Sequence, residues 1–152
     1  MKKAELMRDT LTRSNTWCKA NPELFIAWVE KGHIQIEATG EASFMYHYTI
    51  QVLAVEFPGQ VDDLMLPIMA WAWWHQPDLL LNPDKNRQIE FDADIISDDL
   101  ADILFKVPVW ERVIVENVNG KPVARHLTED RPRFNGGEWE MVFDPDLGGA
   151  LA

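Results

Sequence analysis

The stretch "FMYHYTIQVLAVEF" occupies residues 44–57, and its reading decides the fold. Phe44, Tyr46, Tyr48, Ile50, Val52 and Ala54 fall on one phase of a two-residue repeat. Met45, His47, Thr49 and Gln51 fall on the other, which turns apolar only at Leu53 and Val55. That is a β-strand with one apolar face and one largely polar face. Fully extended it spans about 46 Å at 3.3 Å per residue. A compact domain of this size is roughly 30–40 Å across. The strand is therefore expected to bend, or its hairpin to project from the body.

Upstream, "ELFIAWVEKGHIQIEAT" reads as a hairpin. Leu24 to Val29 are apolar on both faces, Lys31-Gly32 supplies the turn, and Ile34, Ile36 and Ala38 alternate with Gln35 and Glu37. Before it, residues 3–20 read as a helix with Ala4, Met7, Leu11, Ser14 and Cys18 on one face, ended by "NPE".

Downstream, "PGQ" is a turn, and Asp62 or Asp63 can cap a helix that runs to about His75. Pro67 falls near its first turn, where the missing N–H does least harm. At 100° per residue, Leu64, Ile68, Trp71, Trp74 and His75 fall on one side. Met65, Leu66, Met69 and Trp73 fall on the other. A helix apolar on two opposed faces is sandwiched: one face covers the sheet, the other meets the first helix or another molecule.

"RQIEFDADIIS" alternates into a strand with one wet face. "ILFKVPVWERVIVENV" is a second long extended run, in which Pro108 implies an edge position or a bulge. Asn119-Gly120 marks a hairpin turn, with "KPVARHL" returning as a short strand. The expected order is helix, three strands, helix, then two to four strands. That is an α+β domain over residues 1–127, with a mainly antiparallel sheet, long hairpins and two main helices on one face. Residues 128–152, rich in Gly, Pro and charge, read as a C-terminal arm.

The 152 residues carry 25 acidic and 14 basic side chains, a net charge of −11. That argues against gripping a nucleic-acid backbone, which needs clustered cations. No apolar run is long enough for a membrane span of about 20 residues, and the N-terminus lacks the apolar core of a secretory signal. Cys18, the single cysteine, cannot close an internal disulfide, which suits a reducing compartment.

Signals for chemistry are weak. Cys18 lies on an apolar helix face, where thiols are inert. Asp92 and Asp94 share a strand face, but the acids around them lack the calcium-loop spacing and have no histidine nearby in sequence. His33, His47, His75 and His126 form no paired motif; His75 closes a helix, where a cation suits the dipole. No phosphate loop or serine elbow occurs. No catalytic residue, cofactor or metal site is assigned. What remains is aromatic surface: Tyr46, Tyr48, Trp73, Trp74, Trp110 and Trp139 are candidate interface residues, because aromatics concentrate at interface centres.

"NPELF", "ATGEASFMYHYTIQVLAVEF", "DDL", "LPIMAW", "QPDLL" with "NPD", "IEFDADII" and "WERVIV" follow one another over residues 11–115. In this order and spacing the chain resembles the tail completion protein R family of contractile-tailed phages and their prophages. The resemblance implies a structural virion protein without catalytic residues. It implies a tail terminator: a six-membered ring of identical subunits on the head-proximal end of the tail tube, assembled in the bacterial host cytoplasm, that stops tube growth and offers a head-tail joining platform. The implied partners are its own copies, the tail tube protein, and the sheath and neck proteins. DNA passes through the channel without specific binding. Two other readings stand beside this one: a monomeric acidic binding module of the DNA-mimic type, and a metal-dependent hydrolase using Asp92, Asp94 and a histidine.

Overall fold

The computed structural model describes residues 1–128. Helix α1 (Lys2–Ser14) is followed by a short helix α2 (Thr16–Ala20), then strands β1 (Phe25–Ile36) and β2 (Ser43–Phe57). Helix α3 (Val61–His75) and the single turn α4 (Asp78–Leu81) lead to β3 (Glu90–Ile95), β4 (Ala101–Val118) and β5 (Lys121–His126). The five strands form one antiparallel sheet ordered β1-β2-β4-β3, with β5 also on β4. The fold is α+β, with α1 and α3 as its main helices.

Two local readings are corrected. Lys31-Gly32 is no hairpin turn: β1 runs unbroken through it and shifts register between Glu30 and His33, with Lys31 at φ 55°. The pair makes a bulge, and the chain reverses between Ile36 and Ser43 instead. Two strands, not three, therefore precede α3, and three follow it. The N-terminal helix is likewise two helices, broken where Asn15 adopts extended angles and its side chain accepts from the Cys18 N–H at 3.0 Å.

The strand alternation holds. Tyr48, Ile50, Val52 and Ala54 of β2 pack with Ile103, Phe105, Val107 and Val109 of β4 against the helices. Met7 and Leu11 of α1 and Leu64, Ile68 and Trp71 of α3 close this core from above. The far side of α3 meets α4, where Trp73 and Ala70 are buried with Met69, Trp74 and Leu80 packed around them.

Two capping details fix α3. The Asp63 carboxylate accepts the Gln60 N–H at 2.9 Å, so the aspartate works from inside the first turn. Gly59 precedes it because a Cβ there would lie 2.7 Å from the Asp63 carboxylate and 2.8 Å from the Phe57 ring. Pro67 sits within the helix and cannot donate to the Asp63 carbonyl four residues back; the Asn15 side-chain amide points there at 3.4 Å. One asparagine thus joins the break after α1 to the proline in α3.

β4 is central, yet it contains Pro108. On the edge away from β2, β3 pairs only as far as Lys106 and β5 only from Val113. Pro108 stands in the gap between them, where no strand asks for an N–H. Asn119 and Gly120, at φ 53° and 82°, make the tight β4–β5 turn.

Candidate interaction surface

The gap in the β4 edge is filled by side chains. The Trp110 N–H donates to Gln76 Oε1 at 3.3 Å, and its carbonyl accepts from Lys3 Nζ at 2.6 Å. Lys3 Nζ also donates to Gln76 Oε1 at 2.7 Å and lies 4.9 Å from the centre of the Trp110 ring. The Trp110 indole N–H donates to Asp78 at 2.6 Å, and Lys85 pairs with the same carboxylate oxygen at 2.7 Å. Burial alone would raise the Asp78 carboxyl, but hydrogen bonds from Lys85, Trp110 and Gln76 outweigh it and hold the group below its usual range.

Beside this edge lies Glu111, a carboxylate only 2% exposed. It accepts the Lys3 backbone N–H at 3.1 Å and the Tyr48 hydroxyl at 2.7 Å. α1 has no side-chain cap of its own, so a carboxylate from β4 meets its positive end. Burial first, and Glu111 second, raise the Tyr48 phenol well above its usual value, so Tyr48 stays a donor.

Among the described residues no helix packs on the other face of the sheet, where the side chains are mostly half-buried. His33 and His47 stack across β1 and β2 with ring centres 4.7 Å apart. His47 shares a hydrogen bond with Gln35 at 2.9 Å, the Trp28 indole donates to Glu30 at 2.9 Å, and Gln51 donates to Glu30. Burial, then His33 and Lys85, lower the His47 pKa. Lys106 and Arg112 on this face each lie near a carboxylate, Asp92 at 3.8 Å and Glu41 at 3.2 Å. The result is a polar surface with several paired side chains, and Lys31 and Arg87 stand on it beside Thr49 and Lys106.

The helix-side face ends before the sheet does. From Glu30 to Ile36 β1 is exposed. There Ile34 and Ile36 lie opposite Tyr46 and Phe44, beyond the reach of the helices. At the diagonally opposite corner, Phe91 and Ile95 of β3 are exposed on the same face, opposite Phe105 and Ala101. None of these four side chains is among the candidate interface residues read from the sequence.

Of the candidate aromatics, Tyr46 is half-buried at the helix-free end, edge-on to Phe44 and stacked near His126. Trp74 and Trp110 are half-buried. Tyr48 and Trp73 are buried within the chain and present no free surface, because the sheet core and the α4 turn already cover them. Trp139 lies outside the described residues. His75 differs from its sequence reading. Burial first, then the nearby Lys3 and Arg13 charges, lower its pKa to about 4 and outweigh the helix dipole. Among the described residues, no three His, Cys, Asp or Glu side chains are placed to hold a metal ion, and no helix is long and apolar enough to cross a membrane.

The described residues thus present a polar face, a helix-free apolar corner and a second one diagonal to it. The family described as "P2 phage tail completion protein R (GpR)" matches residues 1–130. The chain belongs to this family. It is similar to the tail completion protein R of Escherichia phage P2, with 31% identity over 133 residues, covering 87% of this chain and 86% of that one. No solved structure matches. Family membership makes the chain a structural protein of phage tail completion.

Proposed function

We propose that the chain is a tail terminator: six copies associate head to tail into a ring that caps the tail tube, stops its growth and serves as the platform for head joining. The ring sits at the head-proximal end of the tail and assembles in the host cytoplasm, touching the tube and, around it, the sheath and neck proteins. The observation that carries this reading is the pair of exposed apolar corners at opposite ends of one sheet. A cyclic ring needs two different patches per subunit, whereas a two-fold dimer needs one self-complementary patch.

The net charge of −11 suits a channel for DNA, because a predominantly acidic subunit holds phosphates weakly. The polar face with His47 and Thr49 is the side proposed to line it; Gln51, of the same strand phase, is buried against Glu30. Lys106 and Arg112 of this face are placed beside carboxylates.

Mass measurement of the purified protein, with negative-stain imaging alone and on purified tail tubes, tests the reading. Rings of several times 17.5 kDa, or caps on tube ends, are expected. A monomer that never associates, even on a tube, overturns it and leaves the monomeric binding module.

A further inference from the structure

We infer that the subunit contact is a sheet-edge contact between the distal half of β1 in one copy and β3 in the next. This rests on the head-to-tail reading above and names the surfaces that carry it. Among the described residues both strands are outer strands of the sheet, so each has one row of backbone N–H and C=O groups with no strand partner there. Monomeric proteins blunt such edges with proline, lysine or a cover. β5 is blunted in this way, with Lys121, Pro122 and Arg125 in six residues. β3 has no proline and no cation; β1 has its bulge and Lys31 at the start of the distal half, and neither proline nor lysine beyond them.

Both edges also expose large apolar side chains on the helix side: Ile34 and Ile36 at 57% and 76%, Phe91 and Ile95 at 57% and 78%. These are the highest exposures among the large apolar side chains of the described residues, just above Leu66 at 56%, and each pair lies on one strand face.

Charge decides that the two edges fit each other. Residues 31–36, "KGHIQI", carry one lysine and one histidine and no carboxylate, and lie between Glu30 and Glu37. Residues 90–95, "EFDADI", carry three carboxylates and no cation. Asp94 lies directly opposite Asp102 in the β3–β4 ladder, a like-charge pair that costs stability. A neighbour's Lys31 beside it relieves that repulsion. β5, the other strand on that side, is basic and offers β1 no such match.

Direction agrees as well. Four antiparallel strands in the order β1-β2-β4-β3 leave β1 and β3 running oppositely. A neighbour's sheet that continues the first therefore meets it antiparallel, without inverting the subunit.

Two variants test the assignment. Ile34→Asp with Ile36→Asp disables the β1 edge, and Phe91→Asp with Ile95→Asp disables the β3 edge. The altered side chains are exposed, and a thermal melt verifies folding; Ile36→Ser and Ile95→Ser repeat the test with milder changes. Each variant alone is expected to stay monomeric and to leave tube ends bare. Mixed in equal amounts, they retain one intact contact and give a species of twice 17.5 kDa and nothing larger. If wild type assembles and either variant assembles equally well, or the mixture stays monomeric, the edge assignment is overturned while the ring survives. If wild type itself never assembles, alone or on tubes, the ring reading falls and takes the edge contact with it.

Discussion

The Tyr48 hydroxyl donates to Glu111 Oε2 at 2.7 Å, across a diagonal of the β2–β4 ladder on the helix-covered face. Glu111 is buried, and its other oxygen is taken by the Lys3 N–H. Removing one donor leaves a buried carboxylate short of a partner, which costs more than the bond is worth. Tyr48→Phe is therefore expected to lose about 2 kcal/mol, read as a melting-temperature drop of about 4–8 °C. Glu111→Gln keeps an acceptor but loses the charge facing α1 and should cost a similar amount. A double-mutant cycle on the pair should show coupling; additive losses would mean that the two side chains act independently.

Asn15 works at both ends of one side chain, accepting from Cys18 N–H and pointing its amide at the carbonyl that Pro67 cannot serve. Asn15→Ala should cost about 1 kcal/mol through the lost cap. If the amide also matters to α3, Asn15→Asp, which keeps the acceptor and loses the donor, falls between wild type and alanine in a denaturant titration. Equality with wild type would show that the contact to Asp63 contributes nothing.

Much of this fold is legible in the residues, and the failures have physical reasons. The phase of Phe44 to Ala54 fixes which face of β2 packs, and Asn119-Gly120 fixes the last hairpin. Lys31-Gly32 misleads because a residue pair suited to positive φ serves a bulge as well as a turn. The length of β2 is the arbiter: with β4 along one side, its fifteen residues are paired along the other only if 25–36 runs unbroken. Asn15 is a cap residue placed three before Cys18, which is a readable break inside an otherwise helical pattern. At the candidate surface, Glu111 stands out in retrospect as the one carboxylate in the apolar phase of β4. The exposed corners at Ile34 and Phe91 could not be read. Their pattern is that of any half-buried strand, and only the lengths of α1 and α3 leave them bare.

Cys18 is buried on the helix side, and burial pushes its thiol up to about 12. A thiol that is neither ionised nor accessible does not react. A chromogenic disulfide reagent at pH 8 should label native protein only as fast as it unfolds, and label denatured protein at once. Rapid labelling of the native chain would place Cys18 at the surface.

The acid limb of the stability curve should carry the signature of His75. Burial and the charges of Lys3 and Arg13 lower its pKa from 6.5 to about 4 in the folded chain. The unfolded chain therefore binds this proton more readily. Above pH 6.5 the ring is neutral in both states and its full contribution is present. As pH falls from 6.5 toward 4, the unfolded state gains protons that the native state refuses, and stability drops. A shift of this size is worth about 3 kcal/mol, and partial exposure of the ring trims it to about 2 kcal/mol. Asp78, held below its usual value, gives its own loss only at lower pH. His47 slopes the same way as His75. The quantity to read is thus the difference between wild type and His75→Gln in melting temperature across pH 7.5 to 4.5. The variant should lose about 4–8 °C less than wild type over that range. Parallel curves would mean that His75 accepts its proton in the folded chain, as the end of a helix favours, and that burial does not govern it.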